Sequence, residues 1–413
     1  MHVFPPVPEQ MALLTRGIVD LHVRAELEER LARSRETGTP LRVKAGFDPT
    51  RPDLHLGHAV LMNKLRQFQE LGHTVIFLVG DFTAMVGDPT GQNDLRPRLT
   101  RAEVREAAET YTKQAYLILD GKTTELRYNS EWLEKMSPAE TTELMAKMTV
   151  SRMLERNDFG DRFAKEKPIY MHEFLYPLLQ GYDSVALECD IELGGTDQLF
   201  NLLVGRDIMP RYGKRAQMVM TTPILEGLDA KIDNGKVIGK KMSKSADNYI
   251  GLLEEPLSMY RKVMQIGDQV IFRYFELLSA KSNAEIAALK AAGNPLGAKH
   301  AFAGEIIARF HGDGAAVRAR EDFDKAYLAD ELPRDIPEHT VKTEQATLWI
   351  AKALSTAGLV KSTGEGKRLV EQGGVEVDRV RVTDANMQLA VGKRYLLKVG
   401  SKNRRFAYVT VSA

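Results

Sequence analysis

Two histidines and two lysines are the residues of this sequence best suited by type and spacing to handle a phosphate group. His55 and His58 lie on either side of Gly57, and Lys241 and Lys244 lie three residues apart in a lysine-rich stretch. Residues three apart share one side of a helical turn, so each pair can present its polar groups together. Such groups can bind a polyphosphate and neutralise the charge that gathers on a leaving group. Either pair alone is also typical of an ordinary solvated turn.

The two histidines allow a second interpretation, as ligands of a metal ion. Such a site needs a third protein ligand and often includes cysteine thiolates. Cys189 is the only cysteine, and no third ligand stands out, so we expect no metal bound by the protein itself. A single cysteine also excludes an intrachain disulfide, which fits a reducing cytoplasm.

A third set of polar residues is suited to bind a polar ligand. Tyr176, Gln180 and Asp183 are spaced so that they share one face of a helix, among leucines and a phenylalanine. Burying such a face costs free energy unless it meets a polar partner. Asp88 lies in a loop rich in glycine and threonine, where it could meet an ammonium group. An amphipathic surface helix and a solvated turn are the simpler interpretations, and both stay open at this point.

The segments around these residues have the pattern of an open α/β sheet. Residues 41–47 alternate as in a half-buried strand, residues 61–68 have helical spacing, and residues 74–80 form a continuous apolar run. Such a run is typical of a parallel strand buried on both faces, so the three segments predict a βαβ unit and a doubly wound sheet. Ligands of these sheets bind where a strand ends and a helix begins. The two histidines stand at that point.

The same arrangement recurs in residues 191–198. There a strand pattern leads through a glycine pair to Asp197 and Gln198 and then to a predicted helix. Glycines at this place would let a ligand approach the backbone. We also expect one surface helix over about residues 9–35 and a charged helical insertion over about residues 100–190, between the two halves of the sheet.

The predicted secondary structure changes after about residue 255, where the α/β pattern ends. Residues 256–332 have an all-helical pattern, residues 333–340 contain two prolines and are predicted to be a linker, and residues 341–413 combine two helical patterns with short alternating strands. The segment from residue 341 holds 13 lysines and arginines against 6 acidic residues, a balance of +7, whereas the remainder has a balance of −6. This concentration of positive charge favours an RNA-binding role for the last segment.

Composition limits the class of protein. The chain has 413 residues, enough for two or three domains, and its net charge of +1 argues against a nucleic-acid binder that is basic throughout. The first ten residues lack the pattern of a signal peptide, and no apolar run approaches the roughly 18 residues of a membrane span. We therefore expect neither secretion nor membrane insertion.

Together and in this order, these stretches resemble the bacterial type of tyrosyl-tRNA synthetase, a family of class I aminoacyl-tRNA synthetases. The resemblance spans about residues 44–250 and rests on six motifs: residues 46–50 (Gly-Phe-Asp-Pro-Thr), 55–58 (His-Leu-Gly-His) and 87–89 (Gly-Asp-Pro), the set of Tyr176, Gln180 and Asp183, and residues 194–198 and 241–245. It implies a two-step reaction: ATP, with Mg²⁺, activates L-tyrosine to tyrosyl-adenylate with release of pyrophosphate, and the tyrosyl group then passes to tRNA(Tyr).

The resemblance also implies three domains. These are a Rossmann-like catalytic domain, residues 1–255, with its helical insertion, an α-helical domain that binds the anticodon stem, residues 256–332, and an S-four-like RNA-binding domain, residues 341–413. In such a reaction the protein needs no nucleophile of its own. Catalysis would come from positioning and from charges directed at the transition state.

Roles for individual residues follow from the resemblance, position by position. Those implied to act on the phosphates are Thr50, His55, His58, Lys241 and Lys244. Those implied to bind ATP are Gly46, Asp48, Gly57, Arg96, Asp197 and Lys244. Those implied to bind tyrosine are Asp88, Tyr176, Gln180, Asp183 and Gln198, with Asp183 accepting a hydrogen bond from the phenol. A site built around a hydroxyl group rejects the analogue that lacks it, so no editing domain is expected.

Two positions depart from the family pattern. Lys44 stands where many members have a tyrosine that also contacts the substrate hydroxyl. Gln92 stands where a mobile loop often begins with lysine, and Arg96 could supply the missing positive charge.

Two other functions are compatible with parts of the sequence. A tryptophan–tRNA ligase shares much of the fold and both signature stretches, although the polar face of Tyr176, Gln180 and Asp183 favours tyrosine. A non-catalytic RNA-binding regulator would use only the basic C-terminal segment. A homodimer is expected from the resemblance alone.

Overall fold

The computed structural model describes residues 3–49, 54–89, 100–327, 335–400 and 404–412. The chain forms two compact units. One comprises the residues up to Glu255 together with Lys262–Phe310, and the other comprises Pro256–Arg261 together with the residues from His311 onward. The helices within residues 262–310 therefore pack with the first unit, and the domain boundaries at residues 255 and 341 stay predictions.

The N-terminal segment differs from the single helix predicted over residues 9–35. It forms helix α1, Val7–Leu14, strand β1, Asp20–His22, and helix α2, Arg24–Thr37. Gly17 adopts a positive φ of 67° between the first two elements, a conformation that glycine adopts without steric cost. Helical spacing of leucines continued through this segment and concealed the short strand.

The first unit is built on a six-stranded sheet with the order β1-β6-β5-β2-β3-β4. Its remaining strands are β2 Arg42–Phe47, β3 Thr74–Val79, β4 Thr124–Tyr128, β5 Ile191–Gly195 and β6 Met218–Thr222. Neighbouring strands are parallel except β1, which pairs antiparallel with β6. The apolar run of β3 is buried at every position except Thr74, as predicted for a parallel strand covered on both faces. The predicted doubly wound parallel fold is confirmed.

The order of the strands reverses next to β2. From β2 the chain passes through helix α3, Leu56–Glu70, to β3 on one side, whereas β5 lies on the other side of β2. Such a reversal opens a crevice outside the carboxyl ends of the two strands. Gly46 is exposed although it belongs to a central strand, so this crevice reaches the backbone of β2.

Residues 100–190 contain the predicted helices and also a strand that was not predicted. A short helix, α4 Thr83–Val86, follows β3. The helices within residues 100–190 are α5 Arg101–Ala115, α6 Ser130–Leu133, α7 Pro138–Met145, α8 Val150–Met153, α9 Asn157–Ala164 and α10 Met171–Leu187. Strand β4 pairs parallel with β3 at the edge of the sheet. Its five residues are all half-buried, so it lacks the continuous apolar run that identified β3.

The second half of the sheet leads into a helical region. Helix α11, Leu199–Ile208, follows β5, and a hairpin of β7 Lys231–Asp233 and β8 Lys236–Ile238 precedes the lysine-rich stretch. Five helices then confirm the predicted all-helical pattern, namely α12 Pro256–Gln265, α13 Ile271–Leu278, α14 Asn283–Ala291, α15 Pro295–His311 and α16 Asp313–Tyr327.

Within the described residues, no helix combines the length and apolar character needed to cross a bilayer.

The C-terminal segment has its own small sheet and apolar core. Its elements are β9 Glu338–Lys342, β10 Thr347–Trp349, α17 Ile350–Thr356, α18 Thr363–Glu371, β11 Val375–Val377, β12 Val380–Val382, β13 Gln388–Ala390, β14 Arg394–Val399 and β15 Arg405–Ser412. Five strands pair in the order β12-β11-β14-β15-β9, and β10 pairs with β13. The linker predicted up to residue 340 ends earlier, because β9 pairs with β15 from Glu338 onward.

Candidate active site

The two histidines lie where β2 leads into α3, at the mouth of the crevice. His55 is the N-cap of α3; its Nδ1 accepts a hydrogen bond from the N–H of Gly57 at 3.1 Å, and its own N–H donates to Nδ1 of His58 at 3.2 Å. These two bonds hold the ring centroids 4.0 Å apart. Because both Nδ1 atoms are acceptors, the neutral rings carry their protons on Nε2, where they can donate to a phosphate oxygen.

Both histidines are neutral at physiological pH. Burial, the other histidine and the two lysines lower the pKa of His55 to about 3. Burial and the charges of Lys241 and Lys244 lower the pKa of His58 to about 4. The two lysines therefore lie near enough to both imidazoles for their charges to act on them.

Backbone pairing fixes the segment that follows the lysine-rich stretch against the turn that carries the histidines. The N–H of Leu56 donates to the carbonyl of Ile250 at 2.9 Å, and the N–H of Leu252 donates to the carbonyl of Leu54 at 3.0 Å. Lys241 forms an ion pair with Asp197 at 3.2 Å, and Lys244 lies 5.8 Å from the ring of Tyr249. We call this end of the crevice, bordered by the histidine and lysine pairs, the phosphate end.

Two glycines that were predicted to bind ATP leave the main chain accessible to a ligand at the phosphate end. A Cβ atom at Gly57 would lie 2.9 Å from the ring of His55, so a larger residue would displace that ring. At Gly46 a Cβ would meet only a leucine methyl of β3 at 3.9 Å. Both positions thus leave room for a flat or charged ligand close to the main chain.

A chain of hydrogen bonds leads from the end of β2 to the opposite end of the crevice. Asp48 accepts from the hydroxyl of Thr83 at 2.8 Å, and Thr83 accepts from Nδ2 of Asn129 at 3.0 Å. The same Nδ2 donates to Asp183 at 3.3 Å. Gly80 packs directly against Asp48. A Cβ atom at this position would lie 2.1 Å from the Asp48 carboxylate, so no larger residue fits there.

Asp183 forms the floor of this second end, which we call the hydroxyl end. Its side chain lies on α10 and is 2% exposed. Trp132 Nε1 donates to its Oδ1 at 2.8 Å, so with the Asn129 bond each carboxylate oxygen holds one donor, and an ionised carboxylate has room for more. Burial raises the pKa of Asp183 to about 7, although the charge of Lys44 lowers it.

The other predicted ligand-binding residues lie between the two ends. Tyr176 donates its hydroxyl proton to Asp48 at 2.9 Å, and Gln198 donates from Nε2 to Asp88 at 2.8 Å. Gln180 donates from Nε2 to Glu192 at 3.3 Å, so its amide oxygen is left to accept from a ligand. Tyr176 and Asp183 are buried and Gln180 is half-buried, so the three belong to an inward, polar-lined face and not to an amphipathic surface helix.

Two other carboxylates act on Asp48 in this region. Burial and the charges of Asp88 and Asp183 raise the pKa of Asp48 to about 7, although hydrogen bonds from Thr83 and Tyr176 lower it. Clustered acids suit either a metal ion or an ammonium group. Carboxylates gathered in this way can accept the N–H groups of an ammonium ion.

Two predicted site residues, Thr50 and Arg96, and the departing position Gln92 lie outside the described residues. The sequence interpretation also missed three residues of the hydroxyl end, namely Thr83, Asn129 and Trp132. The Asn-Ser-Glu-Trp stretch directly after β4 was the available signal, since polar residues that follow a parallel strand tend to line its carboxyl edge.

The crevice therefore combines two chemistries. Its phosphate end offers neutral imidazole donors and lysine ammonium groups for an anion that gains charge. Its hydroxyl end offers a buried carboxylate, with further carboxylates and an amide oxygen for a cationic group. Such an arrangement can hold two substrates against each other and stabilise a leaving phosphate.

Comparison with known proteins places this geometry in a family. A family profile described as tRNA synthetases class I (W and Y) matches residues 36–327, and one described as S4 domain matches residues 348–394. A protein of Geobacter sulfurreducens named tyrosine–tRNA ligase is 49% identical over 409 residues, which cover 98% of this chain and 99% of that protein. A protein of Bordetella pertussis with the same name is 50% identical over 411 residues, covering 98% and 97%.

Solved structures agree in fold. A mitochondrial tyrosyl-tRNA synthetase of Aspergillus nidulans, truncated at its C-terminus, superposes with a TM-score of 0.64 at 23% identity, covering 77% of this chain and 94% of that one. A tyrosyl-tRNA synthetase of Archaeoglobus fulgidus complexed with L-tyrosine superposes with a TM-score of 0.60 at 23% identity, covering 76% and 99%.

Proposed function

This chain belongs to the tyrosine–tRNA ligases among the class I tRNA synthetases, and on that premise we propose how its residues divide the work of the reaction. The predicted activity is confirmed: the enzyme uses ATP to join tyrosine to tRNA. This excludes the alternative of a purely RNA-binding regulator. The observation that carries the proposed division of work is that one crevice has a phosphate end and a hydroxyl end.

At the phosphate end, the tyrosine carboxylate attacks the α-phosphorus of ATP, and the bond to the β-phosphate breaks to release pyrophosphate. His55 and His58 donate from Nε2 to the phosphates, and Lys241 and Lys244 neutralise the charge that moves onto pyrophosphate. Asp197, which pairs with Lys241, positions that lysine and faces the ribose. Thr50 completes the set as a further phosphate donor.

ATP enters this site as its Mg²⁺ complex, so the metal is part of the substrate. We propose that the phosphate oxygens of ATP bind this metal. Mg²⁺ supplies additional neutralisation of the triphosphate. The residues of the chain then need only hold and orient the phosphates.

Between the two ends, the substrate ammonium group is bound by acceptors. Asp88, the hydroxyl oxygen of Tyr176 and the amide oxygen of Gln180 are proposed to accept its three N–H bonds. Tyr176 can accept because its own proton is given to Asp48. Gln198 fixes Asp88 through its amide nitrogen.

The hydroxyl end sets the choice of amino acid. Asp183 accepts a hydrogen bond from the substrate phenol while Trp132 and Asn129 hold the carboxylate in place. The alternative of a tryptophan–tRNA ligase is not supported, since relatives about 50% identical over nearly the whole chain are named tyrosine–tRNA ligase. ATP–pyrophosphate exchange with each amino acid measures the selectivity that the proposed role of Asp183 predicts: tyrosine should drive the exchange, and equal exchange with tryptophan would contradict that role.

The two carboxyls with raised pKa values predict a pH dependence. The ionised forms of Asp48 and Asp183 are the hydrogen-bond acceptors, and both have a pKa of about 7. As the pH falls through 7 the free enzyme takes up protons at these sites and loses acceptors. We therefore expect kcat/KM for tyrosine to fall several-fold between about pH 8 and about pH 6. A flat profile in pyrophosphate exchange would contradict the proposed acceptor roles.

The basic C-terminal domain is proposed to bind tRNA through phosphate contacts. Its balance of +7 charges supports this role, and the helices before it are proposed to approach the anticodon stem. A chain ended at Tyr327 lacks the whole C-terminal sheet, including β9. It should form tyrosyl-adenylate at the normal rate but charge tRNA at least roughly tenfold more slowly, and the defect should grow with salt. Unchanged charging at all salt concentrations would refute tRNA binding by this domain.

A homodimer is proposed from the distribution of exposed apolar side chains. Five large ones are concentrated in a single segment between residues 145 and 171, namely Met145, Val150, Phe163, Tyr170 and Met171. Exposed apolar side chains that lie together on a surface mark protein interfaces, and we propose that these five do so. A cytoplasmic location is proposed as well, supported by the free, buried thiol of Cys189.

A further inference from the structure

The loop that carries the two lysines of the phosphate end, residues 241–248, is anchored at its start. The N–H of Met242 donates to the carbonyl of Leu225 at 2.9 Å, and Met242 is 1% exposed. A Cβ atom at Gly57 would lie 3.7 Å from Cβ of Met242, so this start of the loop lies directly against the turn that carries the histidines. We call residues 241–248 the lysine loop.

The side chain of Asn248 closes the lysine loop at its other end. It is 6% exposed, although its neighbour Asp247 is exposed. Oδ1 of Asn248 accepts from the N–H of Ser243 at 2.8 Å, and Nδ2 donates to the carbonyl of Lys241 at 3.3 Å. One amide group therefore binds the backbone on both sides of Met242, and the two ends of the loop are held together.

Asp229 holds this amide group from outside the lysine loop. Oδ1 of Asp229 accepts a hydrogen bond from Nδ2 of Asn248 at 2.8 Å. Hydrogen bonds from Asn248 and from backbone N–H groups hold the pKa of Asp229 below its ordinary value, so its carboxylate is ionised at neutral pH. The N–H of Ser243 is a donor and the carboxylate is an acceptor, so only one orientation of the Asn248 amide satisfies both partners.

The middle of the lysine loop depends on these bonds more than on burial. Residues 243–247 are half-buried or exposed, so apolar packing contributes little to their order. Directly after the loop, the ring of Tyr249 lies 5.8 Å from Nζ of Lys244, and its centroid lies 6.1 Å from that of His55. Asn248 thus lies between the loop and the residue whose ring faces both basic groups, where its position affects the distance between them.

We propose that Asn248 and Asp229 form a positioning pair that holds Lys241 and Lys244 in place for adenylate formation before ATP binds. The inference rests on the proposed role of the two lysines and extends it to the residues that place them. Preorganised charges stabilise a transition state without further rearrangement, whereas a loop that must first be ordered loses part of its interaction energy to that ordering. Pyrophosphate has left before tyrosine passes to tRNA, so loss of the pair should affect the first step alone.

The test measures the two steps separately in full-length variants. Single-turnover formation of tyrosyl-adenylate gives the first step, and mixing the isolated enzyme–adenylate complex with tRNA gives the second. Asn248→Ala should slow the first step roughly tenfold to a hundredfold, the range for a misplacement of about 1 Å. The second step and the affinity for tyrosine should stay close to the wild type. Asp247→Asn is the matched control, since this exposed neighbour has no part in the pair, and its rates should be normal.

An exchange of the two side chains tests the pair itself. Asn248→Asp alone sets two carboxylates against each other and should slow the first step more than Asn248→Ala does. Asn248→Asp combined with Asp229→Asn restores a donor and an acceptor between the two positions, keeps an acceptor for the N–H of Ser243 and leaves the net charge unchanged. This double variant should be at least roughly tenfold faster than Asn248→Asp, as expected for a regained hydrogen bond to a charged group.

A double variant as slow as Asn248→Asp would overturn the inference, and so would Asn248→Ala at the rate of the wild type. Equal losses in both steps and in tyrosine binding would show a merely structural role and overturn it as well. Lys244→Ala, measured in parallel, separates this inference from the proposed function. A normal rate in Lys244→Ala would refute the proposed role of the lysines, whereas a slow Lys244→Ala beside a normal Asn248→Ala would refute the positioning pair alone.

Discussion

Replacing Lys244 with alanine should slow formation of tyrosyl-adenylate by roughly a hundredfold to a thousandfold, the range for losing one group that stabilises transition-state charge. Lys244 lies in the stretch whose backbone neighbours pair with the histidine turn, and its charge acts on both His55 and His58. It is therefore placed to meet the leaving pyrophosphate. The affinity for tyrosine should stay close to that of the wild type, because the hydroxyl end is untouched.

Single-turnover measurement of adenylate formation, with tyrosine affinity taken from equilibrium binding, gives both quantities. Lys240→Ala is a matched control, since that lysine is exposed in the same stretch and has no proposed role; its rate should be near normal. A Lys244→Ala enzyme as fast as the control would refute the leaving-group role. An equal loss of tyrosine binding would point to disruption of the fold.

Replacing Asp183 with asparagine should lower kcat/KM for tyrosine by roughly a hundredfold. The change removes the charge from an acceptor of the phenol and puts an N–H₂ group next to Trp132 Nε1 or Asn129 Nδ2, both of which are donors. Hydrogen bonds to buried charged groups are worth about 1.5–3 kcal/mol, and a clash of donors adds to that loss.

The same variant should lose discrimination against phenylalanine. Rejection by roughly 10⁵ is a figure taken from tyrosyl-tRNA synthetases themselves, and it arises because the site's own polar groups stay unpaired when the hydroxyl is absent. Pyrophosphate exchange with both amino acids measures the ratio. If Asp183→Asn kept the wild-type ratio of kcat/KM for tyrosine to kcat/KM for phenylalanine, another residue would have to recognise the hydroxyl group.

The parts of the fold with strong local patterns were predictable from the sequence. The continuous apolar run of β3 and the helical spacing of residues 61–68 led to the βαβ unit, and the strand at Ile191–Gly195 located the second half of the sheet. Strand β4 was missed because a half-buried edge strand has no apolar run. Strand β1 was missed because its three residues lie within a leucine pattern of helical period.

The site residues that stand in short sequence motifs could be predicted, whereas the residues that packing brings to the site could not. His55, His58 and the lysines stand in recognisable stretches, and the structure brings them together. Asn129 and Trp132 reach Asp183 only through the pairing of β4 with β3, a contact between segments far apart in sequence. The pairing of Lys44 with Glu192 depends on strand register in the same way.

We expect one crevice to hold the triphosphate at one end and to bind the phenol of tyrosine at the other. A crystal structure of the enzyme with a non-hydrolysable analogue of tyrosyl-adenylate tests it most directly. The phenolic oxygen should lie within hydrogen-bond distance of Asp183, and the phosphate should lie between His58 and Lys244. A phenol bound away from Asp183, with the phosphate still between His58 and Lys244, would contradict the account.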